Sequence, residues 1–96
     1  MYVLVSYDVS TLTARGRKRL RRIAKACEDY GVRVQKSVFE CVVADKDWVV
    51  LRERLLRELN EREDSLRLYI LDSVAKDRVE HHGRGKPLDL EEPLIV

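Results

Sequence analysis

The stretch GVRVQKSVFEC, Gly31 to Cys41, decides the fold. Its apolar residues alternate, first at Val32 and Val34 and then at Phe39, Cys41 and Val43, so even positions give way to odd ones across Lys36-Ser37. A strand has a side-chain period of two, and a change of parity therefore marks a break rather than one continuous strand. Two short strands joined by a tight reversal are expected here.

Working outward, Gly16, Leu20, Ile23, Cys27 and Tyr30 step by four, three, four and three, which is one face of a helix. The spacing predicts a helix from about Thr13 to Tyr30, with Gly31 as its C-terminal stop. Before it, YVLVSYD, residues 2–8, is β-prone and nearly continuously apolar up to Tyr7, as in a strand covered on both faces.

After the reversal, Asp45 or Asp47 can cap a second helix whose apolar stripe is Trp48, Leu51, Leu55 and Leu59. Glu53 with Arg57 and Arg54 with Glu58 make neighbouring pairs on its outside, and it should end near Asn60. SLRLYIL, residues 65–71, gives a fourth strand with Leu66, Leu68 and Ile70 on one face and Tyr69 and Leu71 on the other. The order is βαββαβ, the split arrangement of an α+β ferredoxin-like sandwich, with an antiparallel sheet and both helices on one face. The other face is left open.

The chain has 96 residues, 45% hydrophobic and 38% charged, which makes one globular domain with a core over about 1–72 and a tail over about 73–96. A chain this small buries only about two thirds of the surface its unfolded form exposes, so its stability as a monomer should be modest. The tail reads VAKDRVEHHGRGK, too polar for core, yet its Val79, Leu88 and Leu90 and its closing Leu94-Ile95-Val96 need cover. A homodimer supplies it, with open sheet faces packed together and an extra C-terminal strand around Arg78 to His82 added to the partner's sheet edge. The alternative is a tail that wraps its own domain.

Met1 opens straight into a strand pattern without a signal-peptide design, and no apolar run approaches a membrane span, so a cytoplasmic protein without membrane contact is expected. Cys27 and Cys41 fall on apolar faces and fit neither a zinc site nor a disulfide framework. Both read as small core residues.

The net charge of +2 conceals an asymmetry. Between Ala14 and Lys36 stand nine basic residues (Arg15, Arg17, Lys18, Arg19, Arg21, Arg22, Lys25, Arg33, Lys36) against Glu28 and Asp29, a local +7. Surface charge is usually a solvated face. Here the crowding between Arg15 and Lys25, the lack of carboxylates in that segment and the excess of arginine favour contact with a nucleic-acid backbone, for which Arg has the bidentate geometry. The strands carry no aromatic pair of the kind that reads RNA bases, so sequence-specific recognition is not indicated.

Asp8 closes the first strand just before the basic helix, and strand ends are where a fold projects functional groups into a cleft. Such a carboxylate can ligate Mg²⁺, although magnesium wants six oxygens and one carboxylate is a poor site. A two-fold axis near Asp8 would bring a second carboxylate and let the pair hold one metal over a phosphodiester. The competing reading has Asp8 simply opening a turn. His81 and His82, being adjacent, point to opposite faces of a strand and cannot chelate one metal. No Ser/His/Asp set, glycine-rich phosphate loop or cysteine nucleophile setting can be assembled, and no small-molecule cofactor is implied.

These residues together carry a resemblance. A first strand ending in Tyr7-Asp8-Val9, a basic helix closing on Tyr30-Gly31, then RVQKSVFEC, residues 33–41, and a VEHHG tail followed by an acidic-proline-apolar ending resemble the CRISPR-associated Cas-two family, the small adaptation nuclease that partners the spacer integrase. The likeness covers nearly the whole chain. It implies a ferredoxin-like homodimer with one divalent-metal site at the subunit interface, liganded by Asp8. It also implies metal-dependent endonuclease activity on single-stranded RNA or double-stranded DNA, in spacer acquisition with the CRISPR integrase. Within the shared segment Arg33, Ser37 and Phe39 match residues implicated around the family's active site.

Two functions of different class follow. One is a phosphodiesterase in which Asp8 from both protomers binds Mg²⁺ or Mn²⁺, Ser37 and Arg33 position phosphate, Phe39 shapes the site and the basic helix holds the backbone. The other is a non-catalytic scaffold whose dimeric basic surface holds duplex DNA between integrase subunits. A small-ligand regulatory domain of the same fold would not carry the +7 patch.

Overall fold

The structure, a computed structural model, describes residues 1–72 and 77–84. The elements run β1 (Tyr2–Asp8), α1 (Ala14–Tyr30), β2 (Gly31–Gln35), β3 (Val38–Val42), α2 (Asp45–Glu58) and β4 (Ser65–Leu71). They form a four-stranded sheet in the order β2-β3-β1-β4, antiparallel throughout, with β1 at the inside. This is the expected ferredoxin-like α+β arrangement.

The alternation in the strands sorts the core. Val3, Val5 and Tyr7 of β1 and Phe39 and Cys41 of β3 are buried against Ile23, Ala26 and Cys27 of α1 and Trp48, Leu51 and Leu55 of α2. Fully burying an aliphatic or aromatic side chain of this size contributes about 1.5–3 kcal/mol, so this one layer between sheet and helices supplies most of the stabilisation. Both cysteines are free and buried; burial pushes the thiol of Cys27 up to about 12 and that of Cys41 to about 11. They are core residues with no access to thiolate chemistry.

The reversal lies where the parity change put it, as a turn at Lys36-Ser37, and the β2–β3 register also slips between Arg33 and Gln35. One boundary differs from the sequence reading. α2 is capped by the backbone of Ala44 without a side-chain hydrogen bond, while Asp45 and Asp47 sit inside the first turn. There they meet the positive end of the helix dipole, an alternative use of the same charges.

Gly31 ends α1 in an extended conformation (φ −156°) and opens β2 directly, so it is not a left-handed cap. It is glycine because β3 comes too close: a Cβ there would run into Cys41 Sγ and the Glu40 carbonyl oxygen. Gly31→Ala is expected to force β2 from β3 and lower the melting temperature by several degrees in a thermal melt, whereas an unchanged melt would show that the strands can give way.

The opposite face of the sheet is open, as expected, and presents Leu4, Ser6, Val38, Val42, Tyr69 and Leu71. Val42, Tyr69 and Leu71 are exposed. After a short turn at Asp77–Arg78 the described part of the tail is irregular, and Val79 to Arg84 share with this face a cleft of about 650 Å³. The expected strand around Arg78 to His82 is not formed in the single chain, which offers it no partner edge. Leu88, Leu90 and the closing Leu94-Ile95-Val96 lie outside the described residues.

Candidate active site

One end of the sheet brings two of the expected site residues, Asp8 and Ser37, near each other in the chain's ladder. Asp8 stands opposite Ser65 at the last step of the β1–β4 ladder. By strand alternation it shares the open face with Leu4 and Ser6. It is exposed, and its carboxylate enters none of the hydrogen bonds or ion pairs found among the described residues. Next to it, Tyr7 N donates to Ser37 O at 3.1 Å, which brings the β2–β3 turn alongside the end of β1. Ser37 is half-buried there. The connection that follows, Val9 to Thr13, carries Leu12 with 91% of its surface exposed at the mouth of this region.

Arg33 and Phe39 are placed differently. Phe39 is 0% exposed, stacked on Tyr7 with ring centroids 6.2 Å apart, and the Arg33 guanidinium carbon lies 4.9 Å from the Phe39 centroid. Arg33 also donates to Lys36 O at 2.9 Å and to Glu28 Oε1 of α1 at 3.1 Å. Both residues are therefore on the helix side of the sheet, across the strands from Asp8. Phe39, expected to shape the site, has its ring sealed in the core, where it packs under the Arg33 guanidinium. The Tyr7 hydroxyl is buried with no hydrogen-bond partner among the described residues, and burial raises its pKa above the ordinary 10.0. It stays neutral in the working range of pH.

One residue of this region was missed in the sequence. Asp64, just before β4, has a side chain 0% exposed and receives Ser10 N at 3.1 Å, Asn60 N at 3.0 Å and Arg19 Nε at 2.8 Å. Burial alone would raise its pKa, but the Arg19 guanidinium and the two backbone N–H groups outweigh that and hold it below the usual 3.8. A carboxyl depressed in the folded state stabilises the fold above its unfolded pKa of about 3.9, and that contribution is lost as pH falls through the folded value. The chain should lose stability below about pH 4, and Asp64→Asn should flatten that loss in acid melts. Equal acid sensitivity in both proteins would contradict it.

The expected backbone contacts divide into two sets. Arg15, Arg17, Lys18 and Arg21 are exposed and make no ion pair among the described residues, although Arg17 donates to Thr11 O at 3.1 Å. The others are engaged: Arg22 with Glu58 at 3.5 Å, Lys25 with Asp29 at 2.7 Å and Arg33 with Glu28 at 3.1 Å, all at the surface where such pairs stay open to exchange. Arg19 departs from the expected role. Its side chain is 15% exposed and committed to Asp64 and Glu63, so it pins α1 to the turn before β4 instead of facing a phosphate. The charge count over 14–36 could not show this, because Glu58, Glu63 and Asp64 arrive from far along the chain.

Whether these residues suit a divalent cation can be judged from the donors. Among the described residues no group of three or more His, Cys, Asp or Glu stands close enough to hold a metal. Asp8 presents an unengaged hard oxygen pair at the strand end, the donor type that Mg²⁺ and Mn²⁺ take, and so fits as half of a site.

Fold and strand-end carboxylate define a class, a small ferredoxin-like α+β protein with one acidic group at the end of β1 beside a cationic helix. The family described as CRISPR associated protein Cas2 matches residues 1–79. The chain is 57% identical over 96 residues to "CRISPR-associated endoribonuclease Cas2" of Chlorobaculum tepidum, covering 100% of both chains. It is 50% identical over 95 residues to "CRISPR-associated endonuclease Cas2" of Halalkalibacterium halodurans, covering 99% of both. Among solved structures it resembles that of Streptococcus pyogenes Cas2 at pH 6.5, with 52% identity and a TM-score of 0.74, over 86% of this chain and 100% of that one. The chain belongs to the Cas2 family.

Proposed function

We propose that this chain is a divalent-metal-dependent endonuclease that works as a homodimer, cleaving single-stranded RNA or double-stranded DNA in CRISPR spacer acquisition alongside integrase subunits. The observation that carries the reading is Asp8, an exposed and unengaged carboxylate held at a strand end beside the Ser37 turn. The printed names of the relatives, endoribonuclease and endonuclease, support the reaction class. The exposed Val42, Tyr69 and Leu71 on the open sheet face support a second copy packed there.

In the dimer two Asp8 carboxylates would hold one Mg²⁺ or Mn²⁺. Once bound, such a cation polarises a phosphodiester and lowers the pKa of a bound water. The Ser37 backbone is hydrogen-bonded to Tyr7, the neighbour of Asp8, and its hydroxyl would donate to a phosphate oxygen. Arg33, whose side chain is 43% exposed, keeps guanidinium donors for the backbone at the rim. Arg15, Arg17, Lys18 and Arg21 hold the rest of the strand electrostatically.

The direct test is cleavage of RNA and duplex DNA of matched sequence by the full chain, with Mg²⁺, with Mn²⁺ and with EDTA. Cleavage of at least one substrate that EDTA abolishes and either cation restores is expected; a folded dimer that cuts neither in either cation overturns the proposal. Binding should also weaken by about 10³-fold between 50 and 200 mM salt if six or more phosphates are engaged per dimer, measured by fluorescence anisotropy. Lys18→Ala or Arg21→Ala, present in both protomers, should each reduce the salt slope by about two. A slope unchanged by both would remove α1 from the interface.

A second reading is favoured by one observation: α1, with four cations that make no ion pair among the described residues, lies in the layer behind the sheet, while Asp8 shares the opposite face. A dimer that only holds duplex DNA between integrase subunits would use that layer and need no cation at Asp8. Full spacer acquisition by Asp8→Ala in cells would select this reading.

A further inference from the structure

Asp64 lies one residue before Ser65, which faces Asp8 across the β1–β4 ladder. Its buried carboxylate takes N–H donors from three segments: Ser10 N at 3.1 Å, Asn60 N at 3.0 Å, and Arg19 Nε and a terminal guanidinium nitrogen at 2.8 and 3.1 Å. Ser10 is two residues beyond Asp8. One side chain thus ties the chain leaving the strand end to the residue pair facing it.

The other side of Ser10 is held as well. Gly16 of α1 comes so near that a Cβ there would collide with the Ser10 carbonyl oxygen, and Thr13 caps the helix by accepting Gly16 N at 3.1 Å. The connection after Asp8 is therefore gripped at the Ser10 N–H by Asp64 and at its C=O by α1. A carboxylate that only meets water needs no such frame. A cation ligand does, because a productive constellation tolerates displacements of only about 0.5 Å and is held by the groups behind it.

We infer that Asp64 is a positioning residue for Asp8, and that Arg19 acts through it: by clamping Ser10 and the start of β4, the buried pair sets how tightly the strand end holds a divalent cation. The inference rests on the reading of Asp8 as a cation ligand. Asp64 itself never meets the cation, since all its donors are protein N–H groups. In Asp64→Asn one acceptor oxygen becomes a donor facing other donors, so the clamp on Ser10 or on Arg19 must open.

The test is Mn²⁺ binding to the full chain without nucleic acid, followed by electron paramagnetic resonance below the melting temperature of every variant. Wild type, Asp8→Asn, Asp64→Asn and Arg19→Gln are compared, and circular dichroism confirms that each is folded. Supporting groups behind a ligand typically change metal affinity 10–100-fold, so Asp64→Asn should weaken Mn²⁺ binding about 10-fold and Arg19→Gln about 3-fold. In cleavage assays the half-maximal Mn²⁺ concentration should rise by the same factors while the rate at saturating Mn²⁺ returns towards wild type.

A brace that serves stability alone would lower the melting temperature and leave both Mn²⁺ values unmoved, and that result overturns the inference. If Asp64→Asn does not fold, Arg19→Gln decides: it keeps the carboxylate on Ser10 and Asn60, and an unshifted Mn²⁺ affinity there is equally contrary. Wild type that binds no Mn²⁺ in an Asp8-dependent way sinks the ligand reading and this inference together. Asp8-dependent binding that Asp64→Asn leaves intact sinks the inference alone.

Discussion

Asp8→Asn is expected to lower divalent-dependent cleavage at least about 100-fold while leaving the fold and nucleic-acid binding nearly intact. Asp8 is exposed and outside the hydrogen-bond network found among the described residues, so its loss removes no packing and no clamp. What it removes is the negative charge that retains the cation, and an amide oxygen is a far weaker ligand for a hard ion. In a symmetric dimer one substitution changes both ligands at once, which is why the expected loss exceeds that of a supporting group. Rates measured at equal occupancy of substrate, with melting curves as a control, check it. Wild-type rates in a folded Asp8→Asn dimer would return Asp8 to the role of a turn-opening residue.

The largest stability effect belongs to Phe39. It is fully buried between Tyr7 and the helices, and truncation of such a ring to alanine typically costs about 3–5 kcal/mol through lost transfer energy and the cavity left behind. A domain of this size has about 5–15 kcal/mol in total, so Phe39→Ala should lower the melting temperature by more than about 10 °C. Phe39→Leu keeps most of the volume and should restore much of the fold, yet it deprives Arg33 of the ring it rests on, worth about 0.5–1 kcal/mol at a partly exposed site. If Phe39→Ala melted like wild type but no longer cleaved nucleic acid, the ring would belong to the chemistry after all.

Much of the architecture was legible in the residues because it depends on local periodicity. The parity change across Lys36-Ser37, the four-three stepping of α1 and the two-sided pattern of β4 all reappear in the structure. Family membership was legible too, through the strings around Asp8 and Ser37. What stayed hidden is contact between distant segments. Apart from its local contact with Asn60, the partners of Asp64 are distant, Ser10 and Arg19 standing 54 and 45 residues away. For the same reason a window over the basic helix counted Arg19 with the phosphate contacts. A single signal was available for it: Arg19 flanks the apolar stripe one residue before Leu20, where a long side chain is drawn towards the core.

Phe39 shows the converse. Its place in an active-site string suggested that it shapes the site, and the alternation of Phe39, Cys41 and Val43 says from which face, the buried one. Strand parity was the better guide, because it follows from geometry whereas the string says only that the neighbourhood matters. The tail escapes both kinds of reasoning: its pattern calls for cover without saying whose.

The central claim is that two copies converge on one cation through their paired strand-end carboxylates. Its most direct measurement is the stoichiometry of Mn²⁺ binding to the purified protein, with the oligomeric state determined by sedimentation in the same buffer. One tightly held Mn²⁺ per two chains, absent from Asp8→Asn, is the predicted result. A monomer that binds Mn²⁺, or a dimer whose bound Mn²⁺ survives Asp8→Asn, would contradict it.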